Sequence, residues 1–395
     1  MRHITALLAG RIYTSLQEIS DGIVLIEGRR IALVGPKGKV KVPGGAQVVD
    51  HRDRIIVPGF IDVHTHGAAG HDLMEGTGNA VSSVARFLAR HGTTGFVATT
   101  VAAGLEDTLL AVRMLVEAIR AQRFSAERRD RPVGAMILGI HFEGPFLNRK
   151  RRGAQPAAYL QPPSVRLLRR FLDEGKGSAR ILTMAPELRG ALPLLKYAVR
   201  RGMRISIGHS DASLDEAQRA INAGATHATH VFNAMRPFTH RDPGIIGAVL
   251  TDDRVCAELI CDGVHVHPGA VRLLARSKGL EHLVLVSDSG TGTGMPDGKY
   301  RIGKSAVSIV DGVCRDRHGN LAGSTVTLET ELRNLMRYTG HPYDRVVQCA
   351  TLNPSKVLGL EKHKGFIGAG GDADLVVLES EYCVVQTYVG GQPVL

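Results

Sequence analysis

Residues 55–66 read IIVPGFIDVHTH, an apolar run that suits a buried strand and ends on two histidines one residue apart. The strand expected over Ile55–Val63 runs directly into His64-Thr65-His66. The same arrangement recurs along the chain. Ala135–Phe142 ends at Glu143, Arg204–Gly208 ends at His209, Ala228-Thr229 leads to His230, and Leu283–Ser287 ends at Asp288. Side chains from such distant strand ends meet only if the strands lie parallel and share a C-terminal rim, as in a (β/α)8 barrel.

Working outward, apolar runs near 55–63, 94–100, 135–142, 180–185, 204–208, 228–232, 256–261 and 283–287 give eight strands, the number that closes such a barrel. Helical stretches follow most of them: Ala80–Arg90, Leu105–Ala121, Leu188–Arg200, Leu214–Ala223 and His267–Lys278. Ser213, with Glu216 three residues on, marks one helix start. A long insertion after the eighth strand carries a hairpin signal, Asp311-Gly312, between Val307–Val310 and Val313-Cys314. The eighth helix is then Thr325–Tyr338. Short strands crowd both ends of the chain: Ile4–Leu8, Ile23–Glu27, Ile31–Val34 and Gln47–Asp50, then Asp374–Leu378 and Tyr382–Val389. The expected class is α/β, with a (β/α)8 TIM-like barrel over 57–361. Residues 1–56 and 362–395 form a small β-sandwich domain built from both termini. An open doubly wound sheet is the alternative, but no strand runs into GxGxxG.

The length of 395 residues exceeds the roughly 250 typical of one barrel and fits this two-part reading. Apolar content of 44% and 22% charged residues describe an ordinary globular protein. Lys and Arg (49) outnumber Asp and Glu (38), for a formal +11. The basic clusters, Arg149-Lys150-Arg151-Arg152 and Arg128-Arg129, are not interleaved with aromatics, which make up only 5% of a chain without tryptophan. A solvated basic surface is therefore expected, with no nucleic-acid partner. The five cysteines show no CxxC and imply free thiols in a reducing compartment. The start, MRHITALLAGRIYTS, is a poor signal peptide because Arg11 interrupts its apolar run. No apolar stretch approaches the ~20 residues that span a bilayer. These features predict a cytoplasmic protein without a membrane partner.

The chemistry lies in the strand ends. His64 and His66 are two apart on extended chain and point to one side, where two imidazoles can grip one divalent ion. Glu143 in HFEGPF must be paired or bound to metal if buried, because an isolated carboxylate costs several kcal/mol there; a salt bridge is the plainer reading. His141 shares its face and reads as a packing or outer-shell residue. His209 in IGHSD is either a ligand or the neighbour of a helix cap. His227 and His230 are three apart, so on a strand only one can face inward, and His230 lies nearer the strand end. Asp288, in VLVSDSGTGTG, is either an acid/base beside a metal-activated water or a cap for the glycine-rich loop.

The order HxH, Glu, His, His, Asp, with PGFID before it and GDADLVVL near the C-terminus, resembles the amidohydrolase superfamily. The segments HFEGPF, GHSDA, THVFNAM, RDPGIIGAVL, DGVHVHP and NPSKVLGL narrow the resemblance to its N-acetylglucosamine-6-phosphate deacetylase family, over nearly the whole chain. That resemblance implies hydrolysis of the N-acetyl group of N-acetylglucosamine 6-phosphate; the galactosamine epimer or another N-acyl substrate is the alternative. It implies Glu143, His209 and His230 as ligands of the main metal. Retention of His64 and His66 allows a second ion bridged by Glu143. One or two divalent ions are expected, zinc first, with iron, manganese or cobalt as alternatives. Asp288 matches the general acid/base, and Asn233 and Ala234 match sugar contacts. Arg241 and His265 match phosphate contacts that can cross a dimer interface, so a homodimer is expected. Leu321, Ala322 and Gly323 match a stretch lining the site.

Two positions depart from the family pattern. Gln155, after Ala154 in RRGAQP, stands where many members have a histidine that polarises the amide carbonyl. A glutamine NH2 can donate that hydrogen bond but has no proton to transfer. The loop SGTGTGMPDG after Asp288 also differs from the Ala-Met common in relatives, which bears on substrate fit.

Overall fold

The computed structural model describes residues 4–15, 17–128 and 133–394, so Arg129 of the second basic cluster and the chain ends lie outside the described residues. Eight parallel strands form one sheet in sequence order. They are β1 Phe60–Thr65, β2 Thr93–Thr100, β3 Met136–Glu143, β4 Ala179–Met184, β5 Arg204–Ile207, β6 Ala225–Ala228, β7 Cys256–Leu259 and β8 Leu283–Leu285. Eight helices cover it: α1 Gly78–Arg90, α2 Leu105–Glu127, α3 Val165–Gly175, α4 Ala191–Arg200, α5 Leu214–Asn222, α6 Gly244–Thr251, α7 Pro268–Lys278 and α8 Leu328–Thr339. The α5 start carries the expected capping box, in which Ser213 Oγ accepts from the Glu216 amide and Glu216 accepts from the Ser213 amide.

β8 and β1 close the barrel by a short seam. The Asp288 amide donates to the His64 carbonyl at 2.9 Å and the His66 amide to the Ser289 carbonyl at 2.8 Å. The buried Asp62 carboxylate fastens the same seam, accepting from the His64 amide at 3.1 Å and the Ser287 hydroxyl at 2.6 Å.

The expected strand Ile55–Val63 is two strands. Gln47–Pro58 belongs to a seven-stranded sheet built from both termini, and β1 begins at Phe60. Gly59 makes the break: a Cβ there would run into the Thr94 side chain on β2. Gln47–Pro58 pairs in parallel with Ile4–Tyr13 and antiparallel with Leu375–Leu378, so N- and C-terminal segments are neighbours. Period-two alternation sets what each face buries. Ile56 points into the sheet's own apolar cluster, while Ile55 and Val57 join the large cluster shared with the barrel. At about 1.5–3 kcal/mol for each fully buried aliphatic side chain, that shared cluster ties the terminal sheet to the barrel.

The hairpin signal in the insertion is confirmed. Val310 pairs with Val313, and Asp311 (φ 51°) and Gly312 (φ 73°) supply the two left-handed residues of the turn. Several boundaries differ by a few residues, and one bears on the site. The sixth strand, expected over 228–232, is Ala225–Ala228, and the chain turns away at Thr229. All five cysteines are free thiols, and among the described residues no helix is long and apolar enough to cross a membrane.

Candidate metal centre

Six side chains from the C-terminal ends of five barrel strands converge at the rim. Their ligand atoms fall into two groups, His64 with His66 and Asp288, and Glu143 with His209 and His230, each within 4.8 Å. Glu143 lies between the groups. Its Oε1 is 3.0 Å from His209 Nε2, 3.2 Å from His230 Nε2 and 3.4 Å from His64 Nε2, while Oε2 is 3.3 Å from His66 Nε2. Asp288 Oδ1 is 3.2 Å from His66 Nε2 and 3.5 Å from His64 Nε2.

Local backbone geometry aims these groups. His209 (φ 47°), His230 (φ 28°) and Asp288 (φ 45°) all occupy the left-handed region that L-residues rarely adopt, as do Phe232 and Ala234 beside them. Each such residue costs about 1–3 kcal/mol, which the packed barrel sustains at the site. The turn at His230 also revises the sequence argument. His227 and His230 both face inward, because His227 is on β6 and His230 is beyond its end, where strand alternation no longer applies.

The imidazoles are oriented from behind. His66 Nδ1 bonds to the Thr99 carbonyl at 3.2 Å and His209 Nδ1 to the Arg151 carbonyl at 3.1 Å. His64 Nδ1 bonds to Glu258 Oε2 at 3.0 Å. An Nδ1 that donates leaves Nε2 as a bare lone pair. The Nε2 atoms of these three rings and of His230, whose Nδ1 has no such partner, crowd together, with 3.3 Å between His64 and His66 and 3.1 Å between His209 and His230. Converging lone pairs and two carboxylates form a donor set for divalent cations, and the residues fit such ions.

Glu258 escaped the sequence reading, although a lone carboxylate in the apolar strand segment CAELIC was its signal. It is fully buried, and besides His64 it accepts from His227 Nε2 at 2.8 Å and the His230 amide at 3.1 Å. Burial would raise its carboxyl, but the His64 and His227 imidazoles outweigh that and hold it well below the usual range. Glu143 is lowered in the same way, burial being overcome by His64 and His209. His141 lies behind the cluster, bonded to the Thr183 hydroxyl at 2.8 Å and driven down to about 3, hence neutral, by burial and by His64.

Above the cluster lies a cavity of about 260 Å³. His66, Glu143, His209, His230 and Asp288 form its floor, and Ala154, Gln155, Asn233, Ala234, His265, Leu321, Ala322 and Gly323 line its walls. His64 is fully buried beneath. Gln155 is held at both ends, its carbonyl accepting from the Ala102 amide at 2.8 Å and its NH2 donating to Glu143 Oε2. His265 is braced by Asp262 at 2.7 Å. Gly323 needs its φ of 65°, and a Cβ there would press on the Asp288 carbonyl at 2.9 Å. Arg241 stands apart: it is exposed and does not line the cavity.

A closed parallel barrel with histidines and carboxylates gathered on its C-terminal rim defines a metal-dependent hydrolase. The chain belongs to the amidohydrolase family, whose pattern matches residues 55–394, and within it to the N-acetylglucosamine-6-phosphate deacetylases. It is 34% identical over 380 residues to the N-acetylglucosamine-6-phosphate deacetylase of Bacillus subtilis (strain 168), covering 96% of this chain and 94% of that protein. It is 32% identical over 392 residues to the N-acetylgalactosamine-6-phosphate deacetylase of Escherichia coli O157:H7, covering 99% of each. A mutant N-acetyl-D-glucosamine-6-phosphate deacetylase from Mycobacterium smegmatis, solved in complex with N-acetyl-D-glucosamine-6-phosphate, matches all of both chains with 35% identity and a TM-score of 0.91.

Proposed function

We propose that this protein hydrolyses the acetamide of N-acetylglucosamine 6-phosphate to glucosamine 6-phosphate and acetate. The observation that carries this reading is the meeting of Glu143, His66, His209, His230 and Asp288 on the floor of one cavity, with His64 buried directly beneath. Glu143, His209 and His230 would hold one divalent ion, and His64, His66 and Asp288, with Glu143 between the groups, a second; zinc is the first choice. Such ions supply Lewis-acid polarisation of the amide carbonyl and a water acidic enough to lose its proton near neutrality.

The remaining work falls to the protein's own side chains. Asp288 takes the proton of the attacking water and passes it to the departing nitrogen. The Gln155 NH2 carries two hydrogens; one goes to Glu143 and the other is available to the substrate carbonyl oxygen. Asn233, Ala234 and the Leu321–Gly323 stretch enclose the sugar. His265 faces the phosphate from within the cavity. Arg241, exposed and outside the cavity lining, reaches the phosphate bound by a second copy across a homodimer interface.

Acetate release from the glucosamine and galactosamine epimers, each with and without the 6-phosphate, tests this reading alongside elemental analysis. Preference for phosphorylated N-acetylglucosamine supports it. Preference for the galactosamine epimer would reassign the sugar, and indifference to the phosphate would remove Arg241 and His265 from the mechanism.

A further inference from the structure

We infer that Glu258 and His227 form a positioning pair for His64, and that this pair sets the affinity of the protein for the second of its two ions. The inference rests on the two-ion reading above. Glu258 sits on β7, one strand removed from the ligands of β6 and two from β1 across the seam, and touches neither cavity nor substrate space. It is fully buried, and its two oxygens receive three donors: His64 Nδ1 and the His230 amide on Oε2, and His227 Nε2 on Oε1. A carboxylate is acceptor-only, so its contact with His64 requires the proton on Nδ1 and leaves Nε2 bare. That nitrogen lies 3.3 Å from His66 Nε2 and 3.5 Å from Asp288 Oδ1.

The other histidines of the cluster differ in this respect. His66 and His209 lean on neutral backbone carbonyls, and His230 Nδ1 has no hydrogen-bond partner. Only His64 is backed by a charged group, which increases the basicity of its ring. His227 holds that charged group in place. Its ring is fully buried, and its Nε2 is fixed against Glu258 Oε1 at 2.8 Å. The pair is thus a brace whose effect emerges at Nε2 of His64.

Glu258→Gln separates this role from simple packing. The amide oxygen can still accept from His64 and from the His230 amide, and its NH2 can face His227 if that ring moves its proton to Nδ1. Shape and contacts persist while the charge is lost. The experiment loads wild type, E258Q and a control, E331Q, with buffered zinc. Bound ions per chain, the dissociation constant of each ion, the spectrum of the cobalt-loaded protein and the melting point of the metal-free protein are then measured. Wild type and E331Q should bind two ions. E258Q should keep the first, lose affinity for the second by about 10- to 100-fold, and lose the cobalt–cobalt coupling signal while its metal-free form still melts in one cooperative transition.

Two ions of unchanged affinity in E258Q would overturn the inference while leaving the two-ion reading intact. A wild type that never binds a second ion overturns that reading and the inference with it. Should E258Q fail to fold, histidine-labelled ¹⁵N spectra of the zinc-loaded wild type decide the matter. A proton on His64 Nδ1 upholds the brace, and a bare Nδ1 overturns it.

Discussion

The amide of Asp288 donates to the carbonyl of His64 at 2.9 Å, so the group assigned to move protons and the first histidine of the HxH pair are fixed to one another through backbone. This bond is part of the seam that closes the barrel, between its last strand and its first. Residues 224 positions apart are thereby held in register by the fold itself, independently of any ion (288 − 64).

Replacing Asp288 by Asn preserves the seam, because the bond is made by backbone. Acetate release should fall by about 10²- to 10⁴-fold, while the ion proposed for Glu143, His209 and His230 should remain on elemental analysis. Near-normal turnover would remove Asp288 from proton transfer.

Glu143 is within 3.4 Å of three histidines through one oxygen and 3.3 Å from the fourth through the other. Glu143→Gln should therefore deplete both ions, dropping the bound metal below one per chain after dialysis, with activity lost in parallel. A variant that retains two ions would show that the carboxylate does not bridge.

Arg241→Ala should raise KM for the phosphorylated sugar by about 10- to 100-fold, the loss of a charged hydrogen bond being worth about 1.5–3 kcal/mol. Any turnover of unphosphorylated N-acetylglucosamine should not change. Equal effects on both substrates would refute a phosphate contact, and a monomer in sedimentation would refute its delivery by a second subunit.

Glu331, on α8, accepts from the Cys261 amide at 2.8 Å through one oxygen, while the other is buried without a partner. Burial raises its carboxyl well above 4.5. The unfolded chain ionises near 4.5 and the folded one only at much higher pH, so the wild type loses stability as pH rises through that window. Glu331→Gln keeps the Cys261 bond and abolishes the slope. It should match wild type near pH 4.5 and exceed it by about 1–3 kcal/mol toward pH 8. Parallel pH–melting curves for the two proteins would contradict this.

How far the sequence could be read depended on how local each signal was. His64, His66, Glu143, His209 and Asp288 were legible because each follows an apolar run at a strand end, where parallel topology alone forces convergence. The hairpin at Asp311-Gly312 was legible because two left-handed residues are needed there. Gly59 was not, since apolar residues continue on both sides of it and periodicity cannot distinguish one strand from two in different sheets. The inward turn of both His227 and His230 was hidden for a related reason: alternation holds only inside a strand, and β6 ends at Ala228. Glu258 was overlooked because its partners come from β1 and β6, and nothing adjacent in sequence explains a lone acid in CAELIC.

The sheet built from both termini gives this protein a schedule. As the chain leaves the ribosome, the segment Gln47–Pro58, which feeds the HxH strand, emerges soon after Ile4–Tyr13, but its other flank, Leu375–Leu378, follows only after the whole barrel sequence. Until then, that flank is an open edge of the kind that recruits stray strands. A chain cut short just before Leu375 would therefore carry its barrel sequence with a bare, adhesive border next to it.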